Sequence, residues 1–172
     1  MLRKYICLDF EVSGISNKSF PIEVGISDPV TGSTWSDLIK PPKTWLQTGD
    51  WEEEVEEMTG ITKGMLEAGT DPAHVFFKIM KIASGRTIIS EHYKDDNQWM
   101  RKLAQEARRL NKSPKISDLY TVCTEMALQT GRGPEKVIQK AQDIATRTHP
   151  HCHRAGPDAR FMAEIIRQVV GV

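Results

Sequence analysis

Long apolar stretches are missing from this 172-residue sequence. No run approaches the roughly 18 residues needed to cross a bilayer, so no membrane association is expected. Net charge is missing too: 23 Lys and Arg balance 23 Asp and Glu. That excludes a whole-chain basic field of the kind that holds duplex DNA non-specifically, so attraction for nucleic acid must be local or delegated to bound cations. Cysteine is sparse and odd in number. Cys7, Cys123 and Cys152 lie far apart without a C-x-x-C, which argues against a disulfide framework and for a reducing compartment, here the cytoplasm. The start, "MLRKYICLDFEV", has basic residues but places carboxylates where a signal peptide would need an apolar core. Repeats, low-complexity linkers and domain boundaries are also lacking, so residues 1–172 are expected to form a single domain.

What is present begins with three strand-like segments. "KYICLDFEV" is apolar and β-branched, "PIEVGISDP" alternates with Ile22, Val24 and Ile26 on one face, and "STWSDLIKP" follows the turn formers of "DPVTGS". A β-meander is the economical expectation. A loop and short helix with Asp50 as N-cap come next, and then "DPAHVFFKIMKIAS", a helix capped by Asp71 with Pro72 in its first turn. "GRTIIS" reads as a short buried strand before a long amphipathic helix from about Lys94 to Leu110. "SPKISDLY" leads into the helix "DLYTVCTEMALQT", followed by the helices "GPEKVIQKAQDIATRT" and "DARFMAEIIRQVV". Strands first, then strands alternating with helices, indicate an α/β fold with a mixed sheet.

Within "YICLDFEVSG", Asp9 and Glu11 are two apart and therefore point to one face if the strand continues that far. Adjacent carboxylates repel, and burying them disfavours their charge; a hard divalent cation relieves both effects. The bland alternative is a strand that ends at Leu8 with both acids solvated. His153 and Asp158 stand just before and at the start of the last helix, and Asp95 and Asp96 at the start of the long one. Helical phase favours Asp96 over Asp95 for the buried side, since Trp99, Met100, Leu103 and Ala107 share its stripe. The glutamates from Glu52 to Glu57 read as a solvated face. "HPHCH", with His149, His151, Cys152 and His153, could suggest zinc, but no second ligand pair is spaced to complete such a site.

"LDFEVSG" followed by "PIEVGI", an aspartate opening a helix after a strand, and H-x-A-x-x-D-A together resemble the DEDDh exonucleases. These are 3′–5′ exonucleases that include proofreading subunits, oligoribonuclease and ribonuclease T. The resemblance extends to "MTGIT", which is similar to a family turn. It implies a ribonuclease H-like fold, a mixed five-stranded sheet with three antiparallel strands and then parallel ones, flanked by helices. It implies Asp9, Glu11, Asp96 and Asp158 as ligands of two Mg²⁺ or Mn²⁺ ions, with Asp9 bridging, and His153 as general base. All-oxygen ligands agree with those metals.

The resemblance further implies hydrolysis at the 3′ end of single-stranded or frayed DNA or RNA, with release of 5′-mononucleotides. Val12, Ser13 and Gly14 would contact the terminal nucleotide, and Met58, Thr59 and Ile61 would pack on its base. Trp45 and Trp51 are candidates for stacking. Basic residues in "RKLAQEARR" and "GRGPEKVIQK" could follow a phosphate backbone, against a bland reading as solvated faces. A catalytically silent nucleic-acid-binding or regulatory protein of the same fold, and a phosphatase, are the rival functions. A homodimer is compatible with the sequence, and no protein partner is specified by it.

Overall fold

A computed structural model describes residues 1–171. Strands β1 (Tyr5–Val12), β2 (Pro21–Ser27) and β3 (Thr34–Leu38) form the meander. Three short helices follow, α1 (Lys43–Thr48), α2 (Glu53–Thr59) and α3 (Lys63–Leu66), and then α4 (Pro72–Ala83). Next come β4 (Thr87–Ser90), α5 (Tyr93–Glu106), β5 (Ile116–Asp118), α6 (Leu119–Gln129), α7 (Pro134–Thr148) and α8 (Ala155–Val170). The five strands make one mixed sheet in the order β3-β2-β1-β4-β5, antiparallel through β3, β2 and β1 and parallel from β1 through β4 to β5. The expected α/β architecture is therefore present. Among the described residues, no helix is long and apolar enough to cross a membrane.

Strand alternation divides the core into two layers. Ile6, Leu8 and Phe10 of β1 join Val24 and Ile26 of β2 beneath α4 and α5. Cys7 of β1 and Ile89 of β4 face the other way, against α6 and α8. Asp9 and Glu11 continue the Cys7 side, so the sequence alternation that makes Leu8 and Phe10 core also aims both acids at α8. The strand does not end at Leu8: Asp9 pairs with Gly25 and Glu11 with Glu23, and a bulge follows between Glu11 and Val12. The parallel pairing with β4 stops at Cys7–Ile89. Asp9 and Glu11 thus extend past the carboxyl end of the shorter parallel strands, where open α/β sheets place ligands.

Two helix starts differ from expectation. Asp50 does not cap α2; its carboxylate accepts from Ser16 Oγ at 2.7 Å, while Glu52 stands at the N-cap without a side-chain cap bond. A tertiary hydroxyl partner has displaced the local role. Helix α8 begins at Ala155, so Asp158 sits in its first turn instead of opening it. At α4, Asp71 caps as expected, accepting from the amides of Ala73 and His74.

Candidate active site

Helix α8 is fixed on the sheet by two features of β2. Gly25 lies so close to α8 that a Cβ there would overlap the carbonyl of Ala155, which explains why only glycine fits. Glu23, 3% exposed, accepts from Arg154 Nε at 3.0 Å, Arg154 Nη2 at 2.6 Å and the Ala155 amide at 2.9 Å. This three-bond clamp ties the N-terminus of α8 to the strand that pairs with Asp9 and Glu11. In the adjoining loop the Cys152 amide donates to Asp158 Oδ1 at 3.0 Å. Held on both sides, His153 adopts φ 55°, a left-handed conformation that costs a non-glycine residue about 1 kcal/mol.

These constraints bring Asp9, Glu11 and Asp158 together, with one carboxylate oxygen of each lying within 4.8 Å of the others. Asp9 is half-buried, and Glu11 and Asp158 are buried. Asp96 approaches from α5, 3% exposed, its carboxylate bonded by Ser90 Oγ at the end of β4. Asp95 beside it is exposed. Asp9 belongs to two adjoining cavities. One, of about 430 Å³, is shared with Asp96, Val12, Gly14 and Trp99. The other, of about 560 Å³, is shared with Glu11, Met58, His153 and Asp158.

Burial first, and then Asp96, Glu11 and Asp158, push the Asp9 carboxyl well above the usual carboxylate range. Burial and the Asp158 and Glu23 charges push Glu11 up to about 8. Burial likewise raises Asp96 to about 7 despite the Ser90 bond. Acids that resist ionisation by mutual repulsion and desolvation are what a bound cation reverses. All-carboxylate donors suit a hard divalent ion, so the residues present fit Mg²⁺ or Mn²⁺. Among the described residues, the histidines and cysteine of "HPHCH" form no such cluster.

The sequence did not single out His151 for this site. Its Nδ1 lies 3.4 Å from Asp158 Oδ2 and its Nε2 3.5 Å from Glu91 Oε2, and its ring packs on Phe161. Glu91 also accepts from the Tyr120 hydroxyl. The carboxylates of Asp158 and then Glu91 raise His151 to about 9, which favours its cationic form at neutral pH. Asp158 accordingly stays below the usual range: burial pushes it up, but the His151 and Cys152 bonds outweigh this. His153 is exposed and lines the cavity, and among the described residues nothing hydrogen-bonds its ring. In the sequence, His151 stood out only within "HPHCH", as a possible zinc ligand two residues before His153. Its partner Glu91 follows β4, far along the chain.

Several expected contact residues are elsewhere. Ser13 is fully buried. Its amide bonds Phe20, its carbonyl accepts from Glu52, and its hydroxyl bonds Asp50 and Phe20, leaving no group for a ligand. Thr59 turns its hydroxyl back to the Val55 carbonyl, and Ile61 lies in the core, so of the "MTGIT" residues only Met58 reaches the cavity. Trp45 is buried, and Trp51 is half-buried, packed on Phe20 with its Nε1 held by Glu56 at 2.9 Å; neither lines the two acid cavities. Arg132 of the second basic stretch is tied to the Val169 carbonyl.

No family model matches this sequence, and no curated protein matches it. Solved structures do. Exonuclease I of E. coli in complex with a dA16 oligonucleotide superposes with a TM-score of 0.65 at 15% identity, over 95% of this chain and 40% of that one. The nuclease domain of 3′hExo, described as a DEDDh family member and bound to rAMP, gives 0.64 at 16% identity over 95% and 90%. Cell-death related nuclease 4 gives 0.63 at 14% identity over 96% and 63%. The chain thus spans 40% of the exonuclease I chain and most of the 3′hExo domain. In its fold, this chain matches the DEDDh exonucleases.

Proposed function

We propose that this chain is a divalent-metal-dependent 3′–5′ exonuclease domain, acting on the 3′ end of single-stranded or frayed nucleic acid and releasing 5′-mononucleotides. The observation that carries this is the position of Asp9. It stands between Glu11 and Asp158 in one cavity and Asp96 in the next, so a single carboxylate is shared by two acidic sites. Asp9, Glu11 and Asp158 would hold one Mg²⁺ or Mn²⁺, and Asp9 and Asp96 a second. Bound there, such ions supply water activation and charge neutralisation at a phosphodiester.

The protein's own groups divide the remaining tasks. His153, exposed in the cavity beside Asp9, Glu11 and Asp158 with no hydrogen bond to its ring among the described residues, accepts the proton of the attacking water. His151 is not assigned this role, because both its nitrogens face carboxylates, Glu91 and Asp158, within ion-pair distance. It orients Asp158 instead. Glu23 and Arg154 fix the turn that carries His153. Val12, Gly14 and Met58 line the space for the terminal nucleotide. The structures that share this fold hold dA16 in one case and rAMP in another, which supports a nucleic-acid substrate.

Digestion of 5′-labelled single-stranded RNA and DNA oligomers of one sequence, with Mg²⁺ or Mn²⁺, tests this. A ladder shortening from the 3′ end and blocked by a 3′-phosphate is expected. Binding without cleavage under either metal would instead identify a silent nucleic-acid-binding protein.

A further inference from the structure

We infer that the exposed ridge of α5 is a track for the single strand upstream of the 3′ end, leading away from the cleft toward residues 108–112. This deepens the nuclease reading above and rests on it for the identity of the strand. Lys94, Gln98, Arg101 and Gln105 are spaced four, three and four apart, so they form one stripe along α5, away from buried Trp99, Met100 and Leu103. Gln98 lines both the Asp9–Asp96 cavity and a neighbouring groove, and Gln105 lines both that groove and a third. The three are therefore continuous over the length of α5, 14 residues or about 20 Å.

The track is of one sign. Lys94, Arg101 and Lys115 line the nearer groove, and Arg108, Arg109 and Lys112 the farther one, while no Asp or Glu lines either. The acids of the helix lie off it: Asp95 faces the catalytic cleft, and Glu106 lines neither groove. Among the described residues, none of these six cations has a carboxylate partner. Lys102 has a different task, bonding the Ser19 carbonyl at 2.6 Å and covering the Trp99 ring. Solvated cations on a helix are ordinary. Two on α5 and four in the segment that follows it, all without a carboxylate partner among the described residues and lining grooves that run from an acidic cleft, in a chain of zero net charge, are not. The occupant that fits is a flexible polyanion whose end enters the cleft, its phosphates on the cations and its bases within reach of the two glutamine amides.

The test is the triple variant Arg101→Glu, Arg109→Glu, Lys115→Glu, all at exposed positions outside the acid cluster, with the corresponding Gln variant as a milder control. Binding of a fluorescent single strand of about a dozen nucleotides is followed in chelator across salt concentrations, beside a trinucleotide. The Glu variant should bind the long strand at least about tenfold more weakly, with a salt slope smaller by about 2, at ~0.7 per lost phosphate contact. The Gln variant should fall between it and the wild type, and trinucleotide cleavage should keep its kcat. An unchanged affinity for the long strand overturns the track, as does an equal loss with the trinucleotide. So does a variant that loses only its attachment to phosphatidylserine vesicles, since the ridge would then face a lipid surface. A wild type that cleaves no strand but shows this length-dependent binding retains the track and removes the nuclease assignment.

Discussion

Without a cation, the acid cluster should make this protein less stable as pH rises. Burial and the charges of Asp158 and Glu23 raise Glu11 from 4.5 to about 8. Above pH 4.5 the unfolded chain releases this proton while the folded protein keeps it until about pH 8, so stability falls through that window. Asp96, raised from 3.8 to about 7, acts in the same sense. So does His151, raised from 6.5 to about 9, whose contribution is whole below 6.5 and lost by 9. Asp158 and Glu91 are lowered and lose their contributions only in acid, outside the window. Each tenfold change in proton affinity is worth ~1.4 kcal/mol, which sets a ceiling of about 5 kcal/mol for Glu11. The neighbours share one repulsion, so their effects do not sum, and a loss of about 2 to 5 kcal/mol between pH 5 and 8 is expected. At ~2 to 4 °C per kcal/mol for a chain this size, Tm in chelator should drop by about 5 to 20 °C. Thermal melts followed by circular dichroism measure this. Saturating Mg²⁺ or Mn²⁺ at pH 8 should recover most of the loss, and Glu11→Gln should flatten the profile in chelator and blunt the response to metal. A Tm in chelator that is level from pH 5 to 8, or indifferent to either cation, would refute the repulsion and the cation site derived from it.

Asparagine tolerates the left-handed backbone at residue 153, so His153→Asn isolates the imidazole. Steady-state cleavage should fall about 10² to 10⁴-fold, whereas His151→Asn should keep most of the rate; the reverse order would move the general base to His151. Gly25→Ala forces a methyl against the Ala155 carbonyl and should cost about 1 to 3 kcal/mol in denaturant melts, with cleavage reduced as the Asp158 turn shifts. An unchanged midpoint would show that α8 does not depend on this contact. Asp96→Asn should lower cleavage about 10² to 10³-fold while Asp95→Asn stays near wild type, and equal losses would place both acids at the metal.

The sheet was largely legible in the sequence because its signals are local. Alternation in β2, turn formers before β3 and the apolar run of β4 each act within a few residues. The short helices α1 and α3 span 6 and 4 residues, too few for a 3.6-residue period to show. Asp9 and Glu11 were legible as a pair because strand geometry alone puts them on one face, and Asp96 because helical phase separates it from Asp95. What escaped depends on long-range contacts. The Glu23–Arg154 clamp joins residues 131 apart, His151 takes its role from Glu91, and the Ser13 hydroxyl is consumed by Asp50 and Phe20. Thr59 and Ile61 look like accessible turn residues until α2 and the loop after it fold onto the core.

Anomalous diffraction from crystals grown or soaked with Mn²⁺ addresses the shared acid site most directly. Two peaks about 4 Å apart are expected on either side of the Asp9 carboxylate, one against Glu11 and Asp158 and the other toward Asp96, and both should vanish in Asp9→Asn. Manganese bound elsewhere, or no peak beside Asp9 at saturating concentration, would contradict the shared cation site and the hydrolytic function built on it.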